Sequence, residues 1–476
     1  MFILTAQYRI ISPSGRIDKG ESFRYTIYLI ILPDLSKKAA HPLPRGRKER
    51  NDMKKAIACL LAVSLLVSAL PGCAPAGEEP PVVTAFPPQP DSIWDYSGHD
   101  FPDEEYYVTQ LIDLDALGDG KARWAMETDP SDMSWKTPEF SESFRYDLRS
   151  CDASGEDLST ISDFNDISFG TDTLWPDVLP EGFSPEEILE FNKNPGLSIR
   201  DLHRQGFTGK GVGVAIIDQG LYTGHEEYAQ NLKTYELVHG VAESQMHGPA
   251  VASIAVGRTV GVAPEADLYY IGSTFGHNSD EGYIFDASIM AGCVLRVCEI
   301  NQHLPQEGRI RVISISRGYR KEDSGYEELQ NAIRQADEQG ILVLTASTDE
   351  FYPLDLRGLS RSYFDDPDDP ASYRIAYWLD QRASYTSPST VCVPMGSRAY
   401  AAVTGPQDYE LACEGGMSWA VPWLAGFYAL CCQAKPDITP SEFIKLAKDT
   451  THIVRAPSGE HVRVIDPSAV IARLTG

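Results

Sequence analysis

Three residues far apart in the chain could together activate a nucleophile. Asp218 follows the apolar run VGVAII, His247 opens a run of small residues, and Ser418 opens an apolar run after two glycines. A serine hydroxyl attacks a carbonyl carbon when a base takes its proton, and the base needs a third group to fix its orientation and tautomer. Taken singly, each residue has a simpler explanation: a turn-capping Asp, a helix-capping or core His, and an ordinary Ser N-cap.

The sequence around each of these residues suits such a role. An Asp at the end of a buried strand makes a strong, directional hydrogen bond because the local dielectric is low. The Gly248 that follows His247 permits close packing and leaves room for a substrate. A Ser at a helix N-terminus benefits from the macrodipole, and its own N–H can stabilise an oxyanion.

Alternating apolar strands and helices must position these residues. The sequence predicts strands at 212–217, 268–272, 311–316 and 341–346, and helices after His247, at 284–300 and at 325–339. Strands rich in Val, Ile and Leu and joined through helices indicate a parallel sheet covered on both faces, with ligands at the carboxyl ends of the strands. We therefore expect an α/β protein with a doubly wound, mainly parallel sheet and helices on both faces, plus an irregular N-terminal region.

The order Asp, His, Ser in these settings resembles the subtilisin-like serine peptidases. The resemblance spans roughly Leu197 to Leu474 and implies a peptidase domain at 196–476. It includes GRTVGVAPEADLYYI at 257–271, Pro422 four residues after Ser418, and the closing VIDPSAVI at 464–471. It implies a serine endopeptidase without a cofactor that acts on a protein or peptide through an acyl-enzyme. In that scheme Ser418 attacks, His247 moves the proton and Asp218 holds His247. The segment RVISISRG at 311–318 is similar to the family's cleft-lining strand, which assigns Ser316, Arg317 and Gly318 to the substrate cleft.

One departure from the family concerns the oxyanion hole. Where the family has an Asn, ILVLTASTDE places Thr348, with Ser347 as the alternative alignment. Loss of that Asn costs about 10²- to 10³-fold in rate in subtilisin. The resemblance therefore implies a slow or specialised peptidase. The alternative is a catalytically silent protein of this fold that binds or regulates at the cell surface.

Two further departures concern charge and metal. Arg317 replaces an apolar residue of the family, and it either selects an acidic or polar substrate residue or forms a structural salt bridge. Many members hold calcium with a loop that here is only Val256–Val260, and Glu227 is a single carboxylate, so no metal site is predicted. The cysteines after position 73 show no metal spacing, and we expect buried thiols.

The N-terminal segments indicate export. MKKAIACLLAVSLLVSALPGC at 53–73 resembles a bacterial lipoprotein signal with Cys73 as the lipidated residue; the alternatives are a simple signal peptide and a short membrane anchor. We expect translation to start at Met53, which makes residues 1–52 a non-native upstream extension; the alternative is a disordered basic leader. Residues 74–93 are a Pro-rich linker.

The net charge of the chain and a short repeat give two further expectations. The net charge is -27, and because residues 1–55 carry +7, the remainder carries -34. So acidic a body excludes nucleic-acid binding and favours an extracytoplasmic protein, either membrane-anchored or secreted.

Residues 94–195 are an acidic accessory region or a pro-region. Within them DLRSC, DASGE and DLSTI begin at Asp147, Asp152 and Asp157, which predicts either a fragment of pentapeptide-repeat coil or a turn-rich stretch.

Overall fold

A computed structural model describes residues 145–161, 163–240, 244–279, 282–379 and 384–476, together with four short strands before them. The signal-like segment 53–73, including Cys73, and the linker 74–93 lie outside the described residues. Within the described part, no helix is both long enough and apolar enough to cross a membrane. The chain divides into two units, Met1–Val82 and Val83–Gly476. In the first unit, strands β1 (Leu4–Gln7) and β2 (Arg24–Ile27) pair antiparallel.

The second unit contains the other strands and the helices. Its strands are β3 Val108–Ile112, β4 Glu139–Ser141, β5 Arg145–Asp147, β6 Ile167–Gly170, β7 Gly213–Asp218, β8 Leu232–Gly240, β9 Asp267–Gly272, β10 Gly276–Ser279, β11 Gly282–Phe285, β12 Ile310–Ile315, β13 Leu342–Thr345, β14 Asp355–Leu359, β15 Thr390–Pro394, β16 Arg398–Ala401, β17 Tyr409–Ala412, β18 His452–Arg455 and β19 His461–Val464. Its α-helices are α1 Pro185–Phe191, α2 Ile199–Arg204, α3 His247–Val256, α4 Ala287–Gln302, α5 Tyr326–Glu338, α6 Met417–Ala434, α7 Pro440–Asp449 and α8 Pro467–Thr475.

A six-stranded sheet forms the centre, in the order β13-β12-β7-β9-β8-β3. The first five strands run parallel, and β3 joins the edge antiparallel to β8. Every residue of β7 is buried, which requires cover on both faces of the sheet. Helices α3 and α6 pack together and against β7, while α4 and α5 pack together and α4 also contacts β12. The predicted fold class is confirmed.

The predicted element boundaries agree closely except at one helix. The four predicted strands match β7, β9, β12 and β13 to within one residue at each end. The helix predicted at 284–300 begins instead at Ala287, because Ile284 and Phe285 belong to β11 and the Asp286 side chain caps the helix by accepting from Ser288 N at 2.9 Å. That apolar pair fits a strand as well as a helix, and the cap decides where the helix begins.

The described residues between 145 and 195 pack against the C-terminal part of the same unit. Strand β6 pairs antiparallel with β17, which gives a second sheet in the order β16-β17-β6-β5-β4. Phe169 and Leu411 are register partners in this pairing, and both are buried in one apolar cluster with Leu148 and Ala399. A further sheet, β14-β15-β19-β18, lies in the C-terminal part.

The five-residue repeat has a regular structure. The first Asp of each unit accepts a hydrogen bond, at 3.0 to 3.2 Å, from the backbone N–H two residues later, in the pairs Asp147–Arg149, Asp152–Ser154 and Asp157–Ser159. The second residue of each unit is buried, namely Leu148, Ala153 and Leu158. The backbone is thus a series of Asx turns, as the turn-rich interpretation predicts, while the inward second position follows the five-residue period.

Candidate active site

Asp218 and His247 are in direct contact. Asp218 is the last residue of β7 and is 3% exposed, and His247 is the first residue of α3. His247 Nδ1 lies 2.6 Å from Asp218 Oδ1, which also accepts the Gln219 N–H at 2.8 Å. Because a carboxylate accepts, Nδ1 carries the proton, and Nε2 keeps the lone pair that can take a proton from another group.

Gly248 allows this contact. A Cβ built at Gly248 would lie 2.7 Å from the Tyr270 hydroxyl and 2.8 Å from each of the carbonyl oxygens of Gln219 and Gly220. The first turn of α3 therefore packs directly on the backbone that follows Asp218. Pro249 is the third residue of α3, where the missing N–H has no intrahelical acceptor to lose.

Ser418 is the second residue of α6 and is joined to Ser316 by two hydrogen bonds. The Ser418 hydroxyl donates to the Ser316 carbonyl oxygen at 3.2 Å, and the Ser316 hydroxyl donates to the Ser418 carbonyl oxygen at 2.7 Å. Ser316 immediately follows β12. The helix carrying Ser418 is thus fastened to the carboxyl end of a central strand.

Pro422 explains why the Ser418 carbonyl is open to this bond. In a regular helix the N–H of residue 422 would donate to the carbonyl of residue 418. Proline has no N–H, so the Ser418 carbonyl has no intrahelical donor from that position. The Ser316 hydroxyl supplies a donor instead. In the sequence, Pro422 served only as a family marker. Its position four residues after Ser418 would also have predicted that the Ser418 carbonyl lacks its helical donor.

The register of the central sheet brings the Asp218–His247 pair close to the Ser316–Ser418 pair. Ile315 of β12 is the register partner of Ile217 of β7, so Ser316 and Asp218 are the next residues on neighbouring parallel strands. Such strands lie about 4.8 Å apart. Asp218 contacts His247 and Ser316 contacts Ser418, and helices α3 and α6 pack on each other. These contacts place the three predicted triad residues at the carboxyl ends of two neighbouring central strands, β7 and β12.

The environment of His247 changes its acidity. Burial of the ring lowers the pKa of His247, but the charge of Asp218 and the hydrogen bond to it outweigh burial, and the net effect raises the pKa above its ordinary value. The side chain is 22% exposed, so the ring still borders on open space. The Asp218 carboxylate thus favours the protonated imidazole, the form that a general base must reach.

The structure separates the two oxyanion candidates. The Thr348 hydroxyl is buried, donates to the Thr345 carbonyl oxygen and accepts the Thr345 N–H at 3.0 Å, so its proton is used to close its own turn. Ser347 Oγ accepts the Tyr319 N–H at 3.2 Å and lies 2.9 Å from where a Cβ on Gly318 would stand. The geometry favours the alternative, Ser347, as the hydroxyl beside the predicted cleft strand, over Thr348.

Arg317 lies beside this site without an ion pair. It is exposed, and within the described residues its guanidinium contacts aromatic rings rather than a carboxylate: its Cζ is 4.8 Å from the Phe285 ring centre and 5.9 Å from that of Tyr283. The structural salt bridge, one of the two alternatives for Arg317, is therefore not formed with any described residue. Both rings belong to β11.

Glu227 is satisfied by protein donors. Its carboxylate accepts the N–H groups of Thr259 and Val260 at 2.8 and 3.2 Å and the Tyr409 hydroxyl at 2.6 Å. It thereby holds the short loop at the position where many family members carry a calcium loop. Among the residues that the structure describes, no cluster of three or more His, Cys, Asp or Glu could hold a metal ion.

Comparisons with known proteins identify the family to which the chain is similar. The sequence model of the subtilase family (Peptidase S8) matches residues 209–463, more than half of the chain. The solved structure of the prenylagaramide maturation protease PagA is 18% identical and covers 58% of this chain and 98% of its own, with a TM-score of 0.43. A protease from Pseudoalteromonas arctica PAMC 21717 is 19% identical and covers 61% of this chain and 98% of its own, also with a TM-score of 0.43.

Proposed function

Because the chain belongs to the subtilase family, we propose that it is an exported serine endopeptidase in which Asp218, His247 and Ser418 form the catalytic triad. The observation that carries this proposal is the 2.6 Å contact between His247 and Asp218 at the sheet edge where Ser418 is bound to Ser316. The substrate is a protein or peptide, and the acyl-enzyme forms on Ser418. No cofactor is needed for this chemistry.

The reaction begins with a rotation of the Ser418 hydroxyl. It leaves the Ser316 carbonyl and turns to Nε2 of His247, which takes its proton as the oxygen attacks the peptide carbonyl carbon. Asp218 stabilises the imidazolium that results. His247 then gives the proton to the leaving amine, and water hydrolyses the ester in a second cycle of the same steps.

The oxyanion is stabilised at the start of α6. The Ser418 N–H lies in the first helical turn, where N–H groups have no intrahelical acceptor, and the helix dipole favours negative charge there. We assign the side-chain donor to Ser347, whose Oγ lies 2.9 Å from where a Cβ on Gly318 would stand, rather than to Thr348. A hydroxyl in place of the family's Asn amide is the reason to expect a slow or specialised enzyme.

A fluorophosphonate probe tests the proposal, because it reacts only with an activated serine. We expect the wild type to be labelled and Ser418→Ala and His247→Ala to remain unlabelled. Ser441→Ala is the matched control, since Ser441 is also the second residue of a helix but is exposed on α7; it should be labelled like the wild type. A folded wild type without label would support the alternative, a catalytically silent protein with a binding or regulatory role.

Export and anchoring are proposed from the sequence of 53–73. We propose that Cys73 is lipidated and holds the protein on the outer side of a membrane. Cells fed radiolabelled palmitate should yield labelled protein, and Cys73→Ser should abolish the label while Cys59→Ser retains it. Equal labelling of the Cys73→Ser variant would show that the anchor is elsewhere.

A further inference from the structure

Arg317 stands next to the candidate nucleophile. The residue before it, Ser316, accepts the Ser418 hydroxyl, and adjacent Cα atoms are about 3.8 Å apart. The Arg317 carbonyl accepts the Ala346 N–H at 3.2 Å, which fixes the backbone at this point. The side chain is exposed. The Arg317 guanidinium is therefore exposed to solvent on the residue next to Ser316, whose carbonyl contacts Ser418.

The charge of Arg317 is not neutralised by any described residue, although acids outnumber bases in the chain by 68 to 41. Two other solvent-accessible arginines show what pairing looks like in this chain: Arg357 lies 2.8 Å from Asp355, and Arg258 lies 3.4 Å from Glu226. In a protein this acidic, an arginine near the nucleophile without a carboxylate partner has its charge available for a ligand.

The aromatic residues of β11 hold the guanidinium in place. Phe285 and Tyr283 approach it at 4.8 and 5.9 Å, distances typical of cation–π contacts, and Tyr283 is itself tied to the Thr274 carbonyl by its hydroxyl. Such contacts orient the guanidinium plane without removing its charge or occupying all of its N–H donors. An oriented guanidinium is suited to bidentate binding of a carboxylate.

We propose that Arg317 is a specificity residue that binds an acidic side chain of the peptide substrate, Asp or Glu, within a few residues of the scissile bond. An extended peptide advances about 3.3 Å per residue, so the long Arg side chain can serve only positions close to the bond attacked by Ser418. This inference rests on the proposed function, since it names the substrate class of the same site.

Matched peptide substrates test it. We would measure kcat/KM for peptides that differ by Glu against Gln at single positions on either side of the scissile bond. The wild type should prefer Glu at one or two positions by about 5- to 20-fold, a typical range for a partly exposed charge-assisted pair. The preference should shrink with added salt. Arg317→Gln should abolish it, and Arg317→Glu should reverse it toward Lys.

Arg320→Gln is the matched control. Arg320 is an exposed arginine three residues later, and its backbone N–H is bound to Asp323 at 2.7 Å. Its removal changes the net charge equally and should leave the Glu preference intact. A wild type without preference at any position, or a preference that survives in Arg317→Gln, would overturn the proposal. Thermal melting would verify that the variants are folded.

Binding distinguishes this inference from the proposed function. If the wild type does not react with a fluorophosphonate and cleaves nothing, the enzyme assignment fails. The same fluorescently labelled peptides are then tested for binding to Ser418→Ala by anisotropy. The role of Arg317 is supported if Ser418→Ala binds the Glu peptides more tightly than the Gln peptides, and if this difference disappears when Arg317→Gln is added to Ser418→Ala. Equal binding, or no binding, refutes it.

Discussion

At the scale of single residues, we expect the raised pKa of His247 to set the pH dependence of the proposed activity. A protonated imidazole cannot take the Ser418 proton, so the reaction slows as pH falls through that pKa. The Asp218 carboxylate raises the pKa, and we expect the acid limb of the fluorophosphonate labelling rate to lie above the ordinary His value of about 6.5. Asp218→Asn removes the charge, so the limb should move to lower pH, together with a rate loss of about 10⁴-fold.

A surface pair provides the control for this measurement. His452 Nε2 lies 2.8 Å from Asp466, and Asp466 also caps α8. Asp466→Asn keeps a capping side chain and should leave the acid limb of Ser418 labelling in place. If both variants shifted the limb equally, the shift would reflect net charge and not the Asp218–His247 contact.

The bond from Ser316 to the Ser418 carbonyl gives a second residue-scale prediction. Ser316→Ala leaves that carbonyl without its donor because Pro422 has no N–H, and we expect a loss of about 1 kcal/mol in unfolding free energy. In a Pro422→Ala background the N–H of residue 422 returns, so the same Ser316→Ala change should cost close to nothing. Urea unfolding of the four proteins of this double-mutant cycle measures the difference.

Ser314→Ala is the matched control for Ser316→Ala. Ser314 lies two residues earlier on β12, is 1% exposed, and its Oγ has no hydrogen-bond partner among the described residues. Replacing it should leave stability unchanged or raise it. Equal losses for the two serines in both backgrounds would show that the Ser316 hydroxyl does not serve the Ser418 carbonyl.

At the scale of elements, the link between β5 and β17 is electrostatic as well as apolar. Arg149 donates to Asp147 at 2.8 Å, to Glu410 at 3.1 Å and to the Tyr400 hydroxyl at 2.9 Å, and the Glu410 side chain is 5% exposed. Arg149→Met leaves the buried Glu410 carboxylate without its cation, and we expect it to lower the unfolding free energy by about 3 to 5 kcal/mol.

Urea denaturation tests this against an exposed pair. Arg204 is 70% exposed and pairs with Asp201 one helical turn away, so Arg204→Met should cost less than about 1 kcal/mol. Similar losses for Arg149→Met and Arg204→Met would mean that the buried network adds nothing to stability.

Sequence reasoning worked where one local pattern decides the outcome. Continuous Val, Ile and Leu residues predicted β7, β9 and β12, and the residues that end or follow these strands gave the candidate site. The sequence could not show features that depend on partners far along the chain, such as the pairing of β6 with β17, whose two short segments carry no mark of each other. The choice between Ser347 and Thr348 is local, but it depends on side-chain directions within one turn, which sequence spacing does not give.

At the scale of the whole molecule, the packing bears on whether residues 94–195 are a removable pro-region. The described strands of this region are all paired: β4, β5 and β6 belong to a sheet with β17, and β3 pairs with β8 of the central sheet. Residues from Leu148 onward also share an apolar cluster with Leu411 of β17. Asn192 is fully buried and donates to the Tyr363 carbonyl. The Pro195 carbonyl accepts the Trp423 indole N–H at 2.8 Å, and Trp423 belongs to the helix that begins beside Ser418.

Removal of this region would therefore uncover the apolar cluster and leave polar groups on the peptidase domain without partners, at a large cost in stability. We predict that the active, mature chain retains it. N-terminal sequencing of fluorophosphonate-labelled protein should find a start before Arg145, and Ser418→Ala should show the same start if no self-cleavage occurs there. A labelled mature chain that begins near Leu197 would identify the region as a pro-segment. A chain expressed from Leu197 onward should then also fold and react, whereas retention predicts that it does neither.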